Sequence, residues 1–321
     1  MKKVNWAYLK RRVLRFVINF VWSNGLRNAI WQGRVKEYYE HKRYFKTQFK
    51  KDDEGSFKHT LAFVAIVKNE GLYLAEWIEY HKLVGVEKFY IYDNDSTDNI
   101  RDVLAPYIAR GDVEYMFWSG KCQQIMAYNF ALKKHRMDTR WMGFIDLDEF
   151  VVPLQKLTIS EVLEDYKGHV GLAMNWLIYG DNGHKTRTDG LVIERFTAHA
   201  LQAHPWVKTI INPRAAFAMK VHHGVFIGNQ AAVNEMGRKC RQCIRKPSIS
   251  TIRINHYWGK TWEEYQQKRA RGQADRYNLL PVDDSRFSEY NRNEVQDFVM
   301  EKDVPIVTKN IEKTRCKIKV F

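Results

Sequence analysis

The sequence predicts an α/β protein with a Rossmann-type, doubly wound sheet that carries an Asp-x-Asp motif, preceded by a basic amphipathic helical arm. Three observations predict it. Short apolar runs alternate with helical patterns between residues 61 and 145. Polar clusters follow three of those runs, at Lys68-Asn69-Glu70, at Asp93 to Asp95 and at Asp146 to Glu149. The first 51 residues are rich in Lys and Arg and hold only two acids, Glu37 and Glu40.

The arm comes first. Leu9, Val13, Phe16, Val17 and Phe20 fall on one helical stripe, ringed by Lys10, Arg11, Arg12 and Arg15. A helix of this kind lies on an anionic membrane surface or packs against the body with its charges solvated. The apolar run at 16–22 is well short of the ~20 residues of a spanning helix, and no small-residue cleavage site follows it. The polar stretch 50–59 reads as a linker. The expected divisions are 1–58 for arm and linker, 59–275 for the catalytic domain and 276–321 for a basic tail.

Residues 61–67 form an apolar run of the kind a buried parallel strand shows. A helix follows, with Leu74, Trp77, Ile78 and His81 on one face. The pattern repeats as strand 88–92, a helix with Ile100, Val103, Leu104 and Tyr107 on one face, strand 112–117, helix 121–135 and strand 141–145. After Val152 the pattern loosens. A helix is expected at 160–166 and strands at 170–178, 191–197 and 248–254, making the sheet mixed on its acceptor side. Thr261 and Glu264 form a capping box that opens one more helix, and Gly272 sits where it would end.

Length and composition set limits. Of 321 residues, 45% are hydrophobic and 14% aromatic, enough for one large core. A net charge of +15 favours an anionic partner such as phosphorylated substrates, nucleic acid or a membrane. Four cysteines, two of them in Cys240-x-x-Cys243, form neither a disulfide framework nor a four-ligand zinc site, so a reducing compartment is expected.

Doubly wound sheets bind ligands at the carboxyl ends of their strands, where the three polar clusters fall. Asp146 and Asp148 follow a strand, and period-two geometry would put both carboxylates on one side. Such a pair suits Mn²⁺ or Mg²⁺, with phosphates and waters completing the shell. Glu149 either orients a ligand on the acceptor side or makes a structural salt bridge. Asp93 and Asp95 can accept hydrogen bonds from a ribose or a base, or serve turn chemistry. His256 is a candidate third ligand, and Lys268 and Arg271 could meet phosphates. Trp176 could stack on a sugar ring. Asp181, His184 and Glu194 are all candidates for the base that deprotonates an acceptor hydroxyl, and the sequence does not choose among them.

Several of these residues recur in one known order. The stretches Ala65-Ile66-Val67-Lys68-Asn69-Glu70, Glu76-Trp77-Ile78-Glu79-Tyr80-His81 and Tyr90-Ile91-Tyr92-Asp93-Asn94-Asp95-Ser96 come first. Then follow Gln124-x-x-x-Tyr128-Asn129, Phe144-Ile145-Asp146-Leu147-Asp148-Glu149-Phe150, Trp176 with Gly183-His184, and Ile193-Glu194-Arg195-Phe196. Asn255-His256-Tyr257 and Lys260-Thr261 through Lys268 and Arg271-Gly272 close the series. Over residues 61–272 the chain resembles glycosyltransferase family 92 and its relatives in the broad glycosyl transferase family 2 group. The resemblance implies a GT-A fold, a nucleotide-sugar donor (UDP-linked), and a divalent metal held by Asp146 and Asp148 with His256 as a further ligand. It adds Gln124 and Asn129 to the donor side and implies inversion at the anomeric carbon. The acceptor would be a surface glycan or a lipid-linked precursor. The setting would be cytoplasmic, with peripheral contact at the inner face of an anionic membrane. A nucleotidyltransferase would need a Gly-rich loop where Lys68-Asn69-Glu70-Gly71 stands. A nucleic-acid-binding protein is permitted by charge, but no binding module is present, and no nucleic-acid partner is expected.

Overall fold

The computed structural model describes residues 24–31, 33–48, 55–272 and 284–318. The stripe of Leu9, Val13, Phe16, Val17 and Phe20 lies outside them. Two helices, α1 (Asn24–Trp31) and α2 (Val35–Thr47), precede the sheet. Then β1 (His59–Val67), α3 (Gly71–Leu83), β2 (Lys88–Asp93), α4 (Ile100–Ala109), β3 (Val113–Phe117), α5 (Gln124–His135) and β4 (Thr139–Phe144) wind the first half. Its strands are parallel, in the spatial order β3-β2-β1-β4. β1 shows why its sequence is continuously apolar. Phe63, Ala65 and Val67 pack with Leu74 and Trp77 of α3 and Leu104 of α4. Ala62, Val64 and Ile66 pack on the other face with Ala127, Tyr128 and Ala131 of α5. A strand covered on both faces loses the polar alternation of a half-buried one.

The second half opens with β5 (Glu149–Pro153), α6 (Ile159–Glu164) and β6 (Gly171–Ile178). It continues through α7 (Val192–Arg195), β7 (Ala198–His199), β8 (His204–Ile211), β9 (Ala216–Met219) and β10 (Gly224–Phe226). After β11 (Ala232–Val233), β12 (Lys239–Cys240) and β13 (Ile252–His256) come α8 (Trp262–Ala270), α9 (Asp284–Tyr290), β14 (Val295–Gln296) and α10 (Val304–Ile318). β8 lies antiparallel between β4 and β6. β13 runs parallel to β6 and antiparallel to β5. The result is the mixed, doubly wound sheet that was expected, with ten strands among the described residues. The order turns back at β1 and β4, and the ends of these strands border the site.

Four local expectations give way. Asp146-Leu147-Asp148 does not continue β4. It is a turn between β4 and β5, closed by the Glu149 amide donating to the Asp146 carbonyl at 3.0 Å and the Asp146 amide donating to the Glu149 carboxylate at 2.9 Å. Residues 191–197 are not a strand, because the Glu76 carboxylate of α3 accepts from the amides of Val192 and Ile193 at 2.9 and 3.0 Å and starts α7 there. The strand expected at 248–254 begins only at Ile252. The Glu235 carboxylate draws in the amides of Ser250 and Thr251 before it. Residues 284–318 do not trail as a tail. Val307 and Ile311 of α10 are buried, and α10 packs on α3 and α4. β14 pairs with β7, and Asn291 and Asn293 bond the 181–182 turn. Gly180 lies so close under that segment that a Cβ there would collide with Asn293 and the Arg292 carbonyl. α1 and α2 are docked as well: Ala29 and Tyr38 share a small core with Phe217, Ala218, Val225 and Ile227 of the β9–β10 ribbon. No helix among the described residues is long and apolar enough to cross a membrane.

Candidate active site

A cleft of about 910 Å³ opens at the carboxyl ends of β1, β2 and β4. At the end of β1, Lys68 and Glu70 line it, and Glu70 meets Arg271 from the end of α8. Asn69 between them is turned away in a left-handed conformation (φ 51°). Its amide oxygen accepts from the Thr97 amide at 2.7 Å, so it braces the loop after β2. At the end of β2, Asp93 is buried. It accepts from the Ser96 amide at 3.0 Å and the Tyr115 hydroxyl at 2.7 Å. Asp95 does line the cleft and accepts from the Gly120 amide at 3.0 Å, a bond that holds its carboxyl below the ordinary value. Of the two, Asp93 serves the turn and Asp95 faces the cleft.

The turn after β4 supplies the two other carboxylates. Asp146 accepts from Gln124 at 3.0 Å, Tyr128 at 2.9 Å and Lys208 of β8 at 2.7 Å. Lys208 is wholly buried and reaches Glu149 at 3.6 Å. Burial, with Asp146 and Asp148 nearby, pushes the Glu149 carboxyl well above the usual range. Burial opposes the Lys208 charge, but the two carboxylates prevail and hold it protonated. Glu149 lies beneath the turn and does not line the cleft, so the acceptor role gives way to a structural one. Asp148 faces the cleft. It meets Lys268 of α8 and lies 3.6 Å from His256 Nε2 at the end of β13. Burial would raise its pKa, yet the Lys268 ammonium beside it drives it well below the ordinary value.

The structure thus gathers Lys68, Glu70, Asp95, Gln124, Asp146, Asp148, Trp176, His256, Lys268 and Arg271 around one cleft. It leaves out Asn69, Asp93, Glu149, Asn129 and the three candidate bases. Asn129 ties α5 to β9 through both polar contacts of Met219. Asp181 is spent on Asn291 and the Gly183 amide. Glu194 caps α7 and borders a separate cavity of about 320 Å³. His184 belongs to the 181–184 turn and packs near Phe196.

Among the described residues no three metal-type side chains form a cage, and Asp146 already takes Gln124, Tyr128 and the Lys208 ammonium, so the expected trio does not converge. Asp148 and His256 do fit. Burial keeps the imidazole neutral, its Nδ1 is buried without a partner, and its Nε2 is turned to the carboxylate. Two protein ligands, with phosphate and water for the rest, is the open arrangement that Mn²⁺ and Mg²⁺ accept.

The sequence reading missed the aromatic wall. Trp206, Trp258 and Tyr290 line the cleft with Trp176. Trp206 stacks on Trp176 at 6.3 Å and Tyr290 on Trp258 at 4.5 Å. Trp176 is only 8% exposed, so the more open Trp206 presents the stacking face. Only the density of aromatics in 204–206 and 257–258 hinted at it.

Residues 62–285 match the model of glycosyltransferase family 92. A family 92 protein of Oryza sativa subsp. japonica is 29% identical over 65% of this chain and 35% of its own length. A galactan β-1,4-galactosyltransferase of Arabidopsis thaliana is 32% identical over 29% of this chain and 20% of its own. A β-1,4-galactosyltransferase of Caenorhabditis elegans is 24% identical over 65% and 50%. The chain spans about a third of the length of the plant family 92 proteins it matches.

Proposed function

Because this chain belongs to glycosyltransferase family 92, we propose that it transfers a hexose from a nucleotide-sugar, a UDP-sugar first among them, to a hydroxyl of a glycan or lipid-linked acceptor. One observation carries the reading: Asp148, His256 and Lys268 meet at the carboxyl edge of the sheet, beside Lys68 and Arg271. An anion, a neutral imidazole and three cations in one cleft suit a diphosphate that arrives with a metal ion.

Asp148 and His256 would hold Mn²⁺ or Mg²⁺, which when bound neutralises charge on the departing diphosphate. Lys268 leaves Asp148 for a phosphate oxygen, and Arg271 adds a second cation. Asp95 and Lys68 border the nucleoside end, where a carboxylate accepts from ribose hydroxyls. Asp146, fixed by Gln124, Tyr128 and Lys208, contributes a rigid acceptor for the donor. Trp206 offers a face for an acceptor ring. The reaction is a single displacement with inversion: the acceptor oxygen attacks the anomeric carbon from the side opposite the diphosphate. The galactosyltransferase relatives make UDP-galactose the first donor to try. The apolar stripe at 9–20, ringed by Lys10, Arg11, Arg12 and Arg15, supports peripheral contact with an anionic membrane.

Calorimetry of UDP-, GDP- and CMP-sugars, with and without Mn²⁺, tests the reading. Mn²⁺-dependent binding of one nucleotide class, lost in Asp148→Asn, is expected. Binding of none would overturn it.

A further inference from the structure

The carboxylates of the cleft are already engaged. Glu70 meets Arg271, Asp146 takes three donors, Asp148 meets Lys268, and Asp95 accepts from Gly120. Asp181, His184 and Glu194 lie outside the cleft. A hydroxyl that attacks must still give up its proton. Among the cleft side chains not already given to the metal or the donor, His222 offers a lone pair for it.

His222 stands in the turn between β9 and β10 and lines the cleft. Its Nδ1 is 3.2 Å from the Val207 carbonyl of β8. A carbonyl only accepts, so Nδ1 carries the hydrogen, and in the neutral ring the lone pair belongs to Nε2. Its own carbonyl accepts from the Thr209 hydroxyl at 2.9 Å, so ring and backbone are both tied to β8. Trp206 at 4.6 Å and Trp176 at 5.4 Å fix the plane of the ring. Nε2 has no partner among the described residues and is not one of their buried orphan atoms, which leaves it open to the cleft. Burial first, and then Lys208, lower the ring's pKa to about 3, with Asp146 opposing and His223 adding slightly. The ring is therefore neutral at ordinary pH, and Nε2 keeps its lone pair.

We infer that His222 is the general base of the transfer, its Nε2 taking the proton of the acceptor hydroxyl beside the Trp206 face. This rests on the glycosyl-transfer reading above. The O–H bond breaks as the oxygen bonds to the anomeric carbon. The bond from that carbon to the diphosphate breaks, and its electron pair leaves with the nucleoside diphosphate. The proton stays on His222 as imidazolium, near the Asp146 charge, and then passes to water.

His222→Asn keeps a donor for the Val207 carbonyl and lacks the base, while His222→Ala makes room for added imidazole. UDP-galactose binding with Mn²⁺ is measured by calorimetry. Turnover is measured as UDP release, with β-1,4-galacto-oligosaccharide or with water as acceptor. Binding within about 3-fold of wild type and turnover lower by ~10²–10⁴-fold are expected, and imidazole should restore His222→Ala in proportion to its free-base fraction. Turnover of His222→Asn within about 10-fold of wild type, or a loss that imidazole does not restore, overturns the assignment. If wild type neither binds UDP-galactose nor releases UDP, the glycosyl-transfer reading fails in this form, and His222 falls with it.

Discussion

Lys208 donates to Asp146 at 2.7 Å from a position with no solvent exposure. The same ammonium lies 3.6 Å from Glu149. Burial, with Asp146 and Asp148 beside it, pushes the Glu149 carboxyl well above its usual range, while Asp146 and Glu149 hold the Lys208 ammonium charged against burial. The ammonium holds Asp146 at the cleft by a tether that water does not reach.

Lys208→Met takes the cation from Asp146 and leaves it Gln124 and Tyr128. Asp146 is also partly open to the cleft, so losing one charged hydrogen bond should cost about 1–3 kcal/mol, readable by urea unfolding at pH 7. Adding Asp146→Asn should recover most of that loss. A double variant as unstable as the single one would show that the lysine matters for packing alone.

Asp148→Asn should lower kcat by at least ~100-fold, the scale of losing one group that stabilises developing charge. His256→Ala should weaken the Mn²⁺ response in the same direction. Both are checked by Mn²⁺ titration of UDP release. An unaltered Mn²⁺ response in both variants would remove the metal from this pair.

His81 sets an acid limit to stability. Its Nδ1 donates to the Trp77 carbonyl at 2.9 Å and its Nε2 accepts from the Val151 amide at 3.1 Å, so the wholly buried ring has no room for a second proton. Burial lowers its pKa from 6.5 to about 3. The unfolded chain takes up a proton below pH 6.5 that the folded one refuses. The stability from this group is therefore complete above pH 6.5 and lost as pH falls towards 3, at about 1.4 kcal/mol per pH unit. Urea unfolding at pH 6.5, 5.5 and 4.5 should show the gap between wild type and His81→Gln narrowing by that amount per step. A constant gap would contradict the neutral ring.

Trp206→Ala should raise the acceptor KM by about 3- to 10-fold, the worth of one stacked ring, and leave donor affinity unchanged. Initial rates over an acceptor series, with donor binding measured alongside, separate the two. Weaker donor binding would move Trp206 to the donor side.

The parallel half was legible because burial on both faces leaves an unmistakable pattern, and β1 to β4 fell within a few residues of expectation. The cleft-facing Lys68, Asp95 and Asp148 were legible because strand ends and polar clusters coincide, His256 because it ends a strand, and Lys268 because it follows a capping box. What failed was decided by partners distant in sequence. Glu76 turned a strand-like run into α7 from 116 residues away, and Lys208 claimed Asp146 from 62 residues away. His222 gave no signal, because its role depends on the Val207 carbonyl and two indoles brought in by other strands. Residues 304–318 read as a basic tail because their apolar positions are spaced thinly among lysines.

That last segment also sets a schedule for synthesis. The outer face of α3 is covered by α10, where the Thr314 hydroxyl donates to Glu79 across 235 residues and accepts from Arg110 of the α4–β3 connection. A ribosome adding about 5–20 residues per second leaves that face bare for roughly 10–50 s after it emerges. The nascent chain therefore carries an unfinished surface for most of its time on the ribosome, a natural target for chaperones that hold newly made protein.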